Sequence, residues 1–148
     1  MKIIIYPNPI LRNKSEEIKD PTAPEIKQLI LDMTKTLRAN QGVGLAAPQV
    51  GKNIRLCLIE IDDELFVLIN PKIKSESDER IIAEEGCLSF PGKFMLIERN
   101  KRVKVKAIDA SGKSQIIRAR GLFARALQHE IDHLNGELII DKTTTQEK

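Results

Sequence analysis

The chain has 148 residues, which is enough for one domain of ordinary size and too few for a second enzyme module. Hydrophobic residues make up 41% and charged residues 30%, a globular composition rather than a disordered or fibrous one. The net charge is +3 with both signs interspersed, and only Tyr6 and four phenylalanines could stack on bases, so nucleic acid is not expected as the main ligand.

Cysteine content and the N-terminus bear on the compartment. Two cysteines are too few for a disulfide framework, which favours a reducing environment. The apolar run Ile3–Tyr6 is too short for a signal peptide, and no segment approaches the roughly 20 apolar residues of a membrane span. We therefore expect a cytoplasmic protein without a membrane partner. The absence of a heptad pattern or an obvious sticky strand edge favours a monomer.

The first third of the chain predicts a strand and a helix. Ile3–Tyr6 is typical of a short strand that runs into a proline turn. Thr22 and Glu25 have the spacing of a capping box, and the apolar residues that follow recur at helical intervals. We expect an amphipathic helix of about four turns that ends near Ala39, before a glycine-rich loop.

The middle of the chain predicts strands. Ile54–Ile61 and Leu65–Ile69 are apolar, β-branched runs around an acidic turn, which indicates a hairpin whose second strand stops at Pro71. Val103–Ala107 alternates apolar residues with lysines, as a half-solvated strand does, and a Ser-Gly turn leads into Gln115–Ala119.

A final helix is predicted from about Leu122 to Leu134, closing at Asn135-Gly136. Few helices and no βαβ rhythm predict an α+β fold, with mostly antiparallel β-sheets packed around this C-terminal helix. We expect a single domain over 1–148, with a short polar tail from about residue 137.

Both histidines of the chain lie in the final helix, in His129-Glu130-Ile131-Asp132-His133. Histidines at i and i+4 share one helical face and can bind one metal ion, although two surface histidines could share a helix by chance. Glu130 falls within the apolar arc of the helix, whereas Arg125, Gln128, Asp132 and Asn135 take the opposite side. A buried carboxylate requires a partner such as an arginine, or a catalytic reason to be there, and we favour the catalytic reason.

A catalytic metal site needs a third protein ligand. Downstream of the helix, the acidic residues are Glu137, Asp141 and Glu147, and there is no third histidine. Cys87, beside a glycine in a non-repetitive segment, is the better choice. Cys57 lies in a strand pattern and is expected to be a core residue, and a disulfide between the two cysteines is not expected in a reducing compartment.

Three segments together resemble a known family. In chain order they are Gly42-Val43-Gly44-Leu45-Ala46-Ala47-Pro48-Gln49, Glu85-Gly86-Cys87-Leu88-Ser89 and Gln128-His129-Glu130-Ile131-Asp132-His133. Alone, the first segment lacks the lysine of a phosphate-binding loop and could be a tight turn. Together, the three resemble the signature motifs of peptide deformylases, complete and in the family's order, and the resemblance covers nearly the whole chain.

The resemblance implies hydrolysis of the N-formyl group from the initiator methionine of new polypeptides, releasing formate. It implies that Cys87, His129 and His133 bind one divalent metal ion, Fe(II) in the family, with Zn(II), Ni(II) or Co(II) also compatible with this donor set. Glu130 is then the general base. The resemblance also implies that Gln49 and the backbone N–H of Leu88 donate hydrogen bonds to the oxyanion. Gly44 is implied to contact the peptide backbone or the formyl group.

An apolar pocket for the methionine side chain is expected beside these motifs. Its predicted lining residues are Val43, Gly44, Gly86, Leu88, Leu122 and Ala126. For Leu122, ordinary core packing is at least as good an interpretation.

The partners implied are nascent formyl-methionyl polypeptides and the ribosome. Many bacterial members dock on the ribosome through a long C-terminal helix, and the residues after Gly136 are too few for one, so tethering through that element is not expected here. Either the enzyme meets nascent chains by diffusion, or another surface binds the ribosome. Two alternatives stay open: a metallopeptidase of other specificity, which requires a downstream third ligand, and an inactive peptide-binding relative, which requires a damaged motif residue.

Overall fold

The structure is a computed structural model and describes residues 1–144 of the chain. Its helices are α1 (Pro24–Ala39), α2 (Gly121–Leu134) and the short α3 (Ile139–Lys142). Its strands are β1 (Gly44–Ala46), β2 (Leu56–Ile61), β3 (Glu64–Glu76), β4 (Arg80–Cys87), β5 (Phe90–Asn100), β6 (Arg102–Ile108) and β7 (Ser114–Arg120). Short 3₁₀ turns cover Pro9–Arg12 and Ala47–Val50.

The strands form two antiparallel sheets. The larger has the order β1-β2-β3-β6-β7, and the smaller is the β4-β5 hairpin. The predicted α+β class with mostly antiparallel sheets is confirmed. The β2-β3 hairpin and the β6-β7 hairpin are found where the sequence predicts them.

The larger sheet lies between two helices. On one face, α2 buries apolar residues such as Leu127 and Ile131 against Ile59 and Val105. On the other face, α1 packs Met33 and its neighbours against the outward residues of β2 and the first half of β3. This arrangement places α2 beside β1. Within residues 1–144, no helix covers the outer face of β6 and β7.

The β4-β5 hairpin is the element that the sequence patterns miss. Gly86, Pro91 and Gly92 interrupt its periodicity, so the segment reads as irregular chain. Cys87 is therefore the last residue of a strand, and the expectation of a non-repetitive segment is wrong. A shift of register between Gly86 and Cys87 marks a bulge, which is the kind of irregularity that re-aims a side chain.

Three boundary predictions are wrong for identifiable reasons. Ile3–Tyr6 is not a strand, because its N–H groups bond to two separate loops instead of a ladder: Ile4 donates to the Gln49 carbonyl and Tyr6 to that of Ser89. Helix α1 has Ala23 as N-cap, without a capping box. Strand β3 continues through Pro71 to Glu76, because a bulge between Ile69 and Lys72 takes the proline out of the ladder.

The C-terminal segment is less polar in structure than its sequence suggests. Leu138 and Ile139 are buried and pack against Leu11 and Ile97, and α3 follows directly. The predicted polar tail from about 137 is therefore wrong for its first residues, and residues 145–148 lie outside the described part of the chain. Within residues 1–144, no helix is long and apolar enough to cross a membrane.

Candidate active site

Helix α2 and the end of β4 bring Cys87, His129 and His133 together. One ligand atom from each lies within 4.8 Å of the others, and the Cys87 Sγ is 3.3 Å from the His133 Nε2. Both histidines are buried and their ring centroids are 5.0 Å apart, as expected for residues one turn apart on one face of a helix. The structure thus joins the three residues that the sequence predicts as ligands.

Glu85 fixes the orientation of His129. Its carboxylate is buried and accepts a hydrogen bond from the His129 Nδ1 at 2.9 Å, which leaves Nε2 for the cluster. Three further bonds come from two buried arginines, two from Arg99 at 2.8 and 2.9 Å and one from Arg125 at 2.7 Å. Arg99 also pairs with Asp132 at 2.5 Å, so the helix and the hairpin are joined by one charged network.

The electrostatics of this network favour positive charge between Glu85 and Cys87. Burial alone would raise the pKa of Glu85, but the hydrogen bonds from Arg99 and His129 hold it well below its usual range. Burial alone would lower the pKa of His129, but its contacts with Cys87 and Glu85 raise that pKa to about 10. Burial and the neighbouring His129 charge hold the pKa of His133 well below its usual range.

Glu130 is buried beside the cluster and forms no salt bridge within residues 1–144. Only 4% of the residue is exposed, and within residues 1–144 its Oε1 has no hydrogen-bond partner. Burial raises the pKa of Glu130 to about 7. A purely structural role for Glu130 would require an arginine bonded to its carboxylate. The two arginines nearby, Arg99 and Arg125, bond to Glu85 instead.

Gly44 makes room for that carboxylate. A Cβ at Gly44 would overlap the Glu130 side chain, lying 2.8 Å from Cδ and 2.9 Å from Cγ. Any side chain there would displace Glu130 or the edge strand β1. The requirement for glycine at this position is therefore steric, a reason that the sequence alone does not reveal.

Gln49 is held in place by the loops around it. It is 1% exposed, its Oε1 accepts from the Ala46 N–H at 2.9 Å, and its Nε2 donates to the Ser89 Oγ at 3.1 Å. The same Nε2 lies 3.6 Å from the Cys87 Sγ. Ser89 in turn donates to the Ile4 carbonyl, so the N-terminal segment supports the site.

A cavity of about 510 Å³ opens in front of these groups. Among its lining residues are the following, all predicted from the sequence as site residues: Val43, Gly44, Gln49, Gly86, Cys87, Leu88, Leu122, Ala126, His129 and Glu130. His133 is 2% exposed and lies behind them. Leu122 is 60% exposed, so its interpretation as a core residue is wrong.

The other proposed ligands do not join the cluster. Asp141 bonds to Arg12 at 2.5 and 3.1 Å, Glu137 pairs with Lys142 at 2.9 Å, and Glu147 lies outside the described residues. Cys57 is buried in the core, Cys87 is partly buried, and both are free thiols. The metallopeptidase alternative therefore lacks its downstream ligand among residues 1–144, and no motif residue is damaged as an inactive relative would require.

The cluster fits a divalent cation. A thiolate and two imidazoles suit Fe(II), Zn(II), Ni(II) or Co(II), and three protein donors leave a coordination position open for chemistry. The electrostatics of the Glu85 network and the unpartnered Glu130 oxygen support that assignment. A cavity, an open metal position and a buried carboxylate together are typical of metal-dependent hydrolases.

Several contributors to the site escape sequence reasoning. Glu85 lies within one of the three motifs, but the sequence predicts no role for it. The sequence likewise predicts no role for Arg99, Arg125 or Ser89. On a helical projection Arg125 and Gln128 fall opposite the apolar arc, yet both are buried, because the β4-β5 hairpin covers that side of α2. The burial of an arginine on a side predicted to be exposed cannot be inferred from the sequence without knowing that the hairpin covers it.

Comparison with known proteins gives a consistent result. The family model described as Polypeptide deformylase matches residues 1–148. The peptide deformylase of Thermodesulfovibrio yellowstonii is 46% identical over 147 residues, covering 96% of this chain and 88% of that protein. The one from Dictyoglomus thermophilum is 42% identical and covers 94% and 90%.

Solved structures agree. The crystal structure of peptide deformylase from Thermotoga maritima has a TM-score of 0.94 at 40% identity and covers 97% of each chain. The peptide deformylase from Synechococcus elongatus in complex with actinonin has a TM-score of 0.95 at 38% identity, covering 99% of this chain and 80% of that one. The chain belongs to the polypeptide deformylase family.

Proposed function

We propose that this chain is a metal-dependent hydrolase that removes the N-formyl group from the N-terminal methionine of new polypeptides, releasing formate. Membership of the polypeptide deformylase family supports the activity. The observation that carries the proposal is the pairing, at one cavity, of the Cys87-His129-His133 cluster with the buried, unpartnered carboxylate of Glu130.

Cys87, His129 and His133 hold the metal ion in this proposal. A divalent cation lowers the pKa of water from 15.7 to about 7 and so supplies a nucleophile at neutral pH. Fe(II) is the proposed ion by resemblance to the family, and Zn(II), Ni(II) and Co(II) suit the same donors. The thiolate of Cys87 makes the site sensitive to oxidation, so the protein must be handled without oxygen.

Glu130 moves the proton. Its carboxylate takes a proton from the attacking water and passes it to the leaving amine, for which a pKa near neutrality is well suited. Gly44 admits this carboxylate to the reacting position by having no side chain.

Gln49 and the backbone N–H of Leu88 are the proposed donors to the oxyanion. The fixed position of the Gln49 amide, held through Ala46 and Ser89, supports such a role, because a preorganised donor costs no reorganisation during the reaction. Val43, Leu88 and Leu122 are the proposed apolar contacts for the methionine side chain.

The remaining pocket residues surround the same space. We assign Ala126 and Gly86 to the substrate pocket, and Gly44 to a contact with the peptide backbone or the formyl group. Their position in the cavity lining supports this assignment.

The natural substrate is a nascent formyl-methionyl polypeptide. We propose that the chain acts as a single domain and a monomer in the cytoplasm, where such substrates arise and where the thiol of Cys87 stays reduced.

The test is product analysis with formyl-Met-Ala-Ser under anaerobic conditions. Protein loaded with Fe(II), Ni(II) or Zn(II) should release formate and leave the tripeptide intact. Release of formyl-methionine without formate would instead identify a metallopeptidase of other specificity. Tight binding of one ion and of the peptide without any product would identify an inactive peptide-binding relative.

A further inference from the structure

Positively charged residues that are far apart in the sequence lie together on the outer face of β3, β6 and β7. Six cations point to this side, which we call the basic sheet face: Lys72, Arg102, Lys104, Lys106, Arg118 and Arg120. They alternate with inward residues such as Val105 and Ile117. Strand β6 contributes three of the cations at every second position, β7 contributes two and β3 contributes one. A quarter of the chain's 24 lysines and arginines lie here.

The register sets these cations directly opposite one another. Lys72 pairs with Lys106, Lys104 with Arg118, and Arg102 with Arg120. Like charges at directly opposite positions destabilise an antiparallel sheet. Three such pairs side by side oppose folding stability, which points to a role in binding.

Most of these charges have no ion-pair partner within residues 1–144. Arg102 pairs with Glu79 at 3.1 Å, but among residues 1–144 the other five cations form no ion pair. Helix α1 covers the sheet over β2 and the start of β3, and it reaches β6 at Ile108. Beyond that residue the face is open, and part of it forms a groove of about 500 Å³. Lys104, Arg118 and Arg120 line this groove, and so does one acidic residue, Glu76.

We propose that the basic sheet face docks the phosphate backbone of structured RNA. Outward residues on a strand recur about every 6.8 Å and neighbouring strands lie about 4.8 Å apart, so the face is a two-dimensional array of cations suited to a continuous polyanion. Contacts of this kind position a protein on nucleic acid without reading its sequence. A nascent-chain substrate is attached to a ribonucleoprotein particle, so docking on RNA brings the enzyme to its substrate, a benefit that rests on the proposed function.

Charge and composition favour RNA over a membrane. Within the described residues, one large exposed apolar side chain, Ile116, lies in the basic sheet face, and a lipid surface needs several to insert. The face carries no aromatic ring for stacking on single-stranded bases. Recognition by shape and backbone, as for double-stranded RNA, fits this surface.

The experiment is a binding titration with two matched variants. The metal-loaded full chain is titrated into a fluorescein-labelled RNA duplex of about 20 base pairs, at about 50 and about 200 mM salt, with anisotropy as the signal. The face variant is Lys104→Gln/Lys106→Gln/Arg118→Gln/Arg120→Gln. The control variant removes four exposed lysine charges elsewhere, none of which forms an ion pair within residues 1–144: Lys14→Gln/Lys27→Gln/Lys35→Gln/Lys52→Gln.

The two variants have equal net charge, and we expect them to differ in their affinity for the RNA duplex. The wild type should bind with a steep salt dependence, and the face variant should bind at least about tenfold more weakly, with a salt slope shallower by about 3 to 4. The control should stay within about twofold of the wild type. The face variant should also melt at a higher temperature without RNA, because its like-charge pairs are gone. Its formyl-peptide turnover should be unchanged.

Three outcomes would overturn the proposal. The first is a wild type that does not bind the duplex, and the second is an equal loss in both variants, which would reduce the effect to net charge. The third is binding of the face to phosphatidylserine-containing vesicles in preference to RNA, which would identify a membrane surface. Because RNA binding is measured without catalysis, failure here and failure of the deformylase proposal are distinguishable.

Discussion

Glu85→Gln tests the charged network that orients His129. Each Glu85 oxygen accepts two hydrogen bonds, Oε1 from Arg99 and His129 and Oε2 from Arg99 and Arg125. The amide NH₂ of glutamine must replace one of these oxygens, so two donors lose their acceptor in either orientation. The variant also leaves the arginine charges buried with one carboxylate fewer.

The expected cost is large for a change of one atom. Removing one partner of a buried ion pair destabilises a protein by about 3–5 kcal/mol. Arg99 keeps Asp132, and Arg125 keeps the carbonyls of Ile81 and Ile97, which places the cost near the lower limit. For a domain of about this size each kcal/mol corresponds to about 2–4 °C, so the melting temperature should fall by about 6–12 °C.

The assay compares Glu85→Gln with Glu84→Gln, whose side chain is exposed and makes no ion pair among the described residues. Thermal unfolding measures stability, and competition with a chelator measures metal affinity. Loss of the carboxylate behind a histidine ligand should weaken metal binding by about 10–100-fold. Equal melting temperatures and equal metal affinities for the two variants would refute the reasoning.

The same substitution predicts a pH dependence. The pKa of Glu85 is depressed in the folded state, so its carboxylate contributes stability that is fully present above the unfolded-state pKa of about 4.5. That contribution is lost as the pH falls further, toward the folded-state pKa. The stability difference between wild type and Glu85→Gln should therefore be largest near neutral pH and shrink in acid, as denaturant titrations at several pH values can measure.

Three other substitutions probe the site. Gly44→Ala should lower kcat by at least about 10², because its methyl group displaces Glu130, and metal analysis should show the ion retained; unaltered kinetics would contradict the steric argument. Gln49→Glu keeps the acceptor for the Ala46 N–H but replaces the donor, so kcat should fall by about 10²–10³ in steady-state assays, and a change confined to KM would argue against an oxyanion contact. Cys87→Ser should abolish the thiolate charge-transfer absorption of Co(II)-loaded protein and Cys57→Ser should not; the reverse would exchange the two cysteines.

Long periodic elements are predictable from this sequence. Strands β6 and β7 show a clean 2-residue pattern, because each buries one face and exposes the other. Helix α2 shows a clean 3.6-residue pattern, because its apolar arc packs on the larger sheet while polar side chains take the opposite side. His129, His133 and Glu130 are predictable for the same reason, because they occupy fixed positions on a helix whose apolar arc is plain in the sequence.

The parts that fail depend on partners distant in the chain. The β4-β5 hairpin carries glycines and a proline that break its pattern, and Ile3–Tyr6 bonds to loops that adopt their positions only in the folded protein. The burial of Arg125 follows from the hairpin that covers it. The steric need for Gly44 likewise depends on where Glu130 lies, and strand register alone creates the basic sheet face.

Glu130→Gln tests the central claim most directly, because the amide keeps the shape of the side chain but cannot accept and pass on a proton. Anaerobic, metal-quantified protein should be assayed for formate release from formyl-Met-Ala-Ser beside the wild type. We expect the variant to hold one ion per chain and to lose turnover by at least about 10². Turnover close to that of the wild type, with the metal still bound, would contradict the assignment of Glu130 as the group that moves the proton.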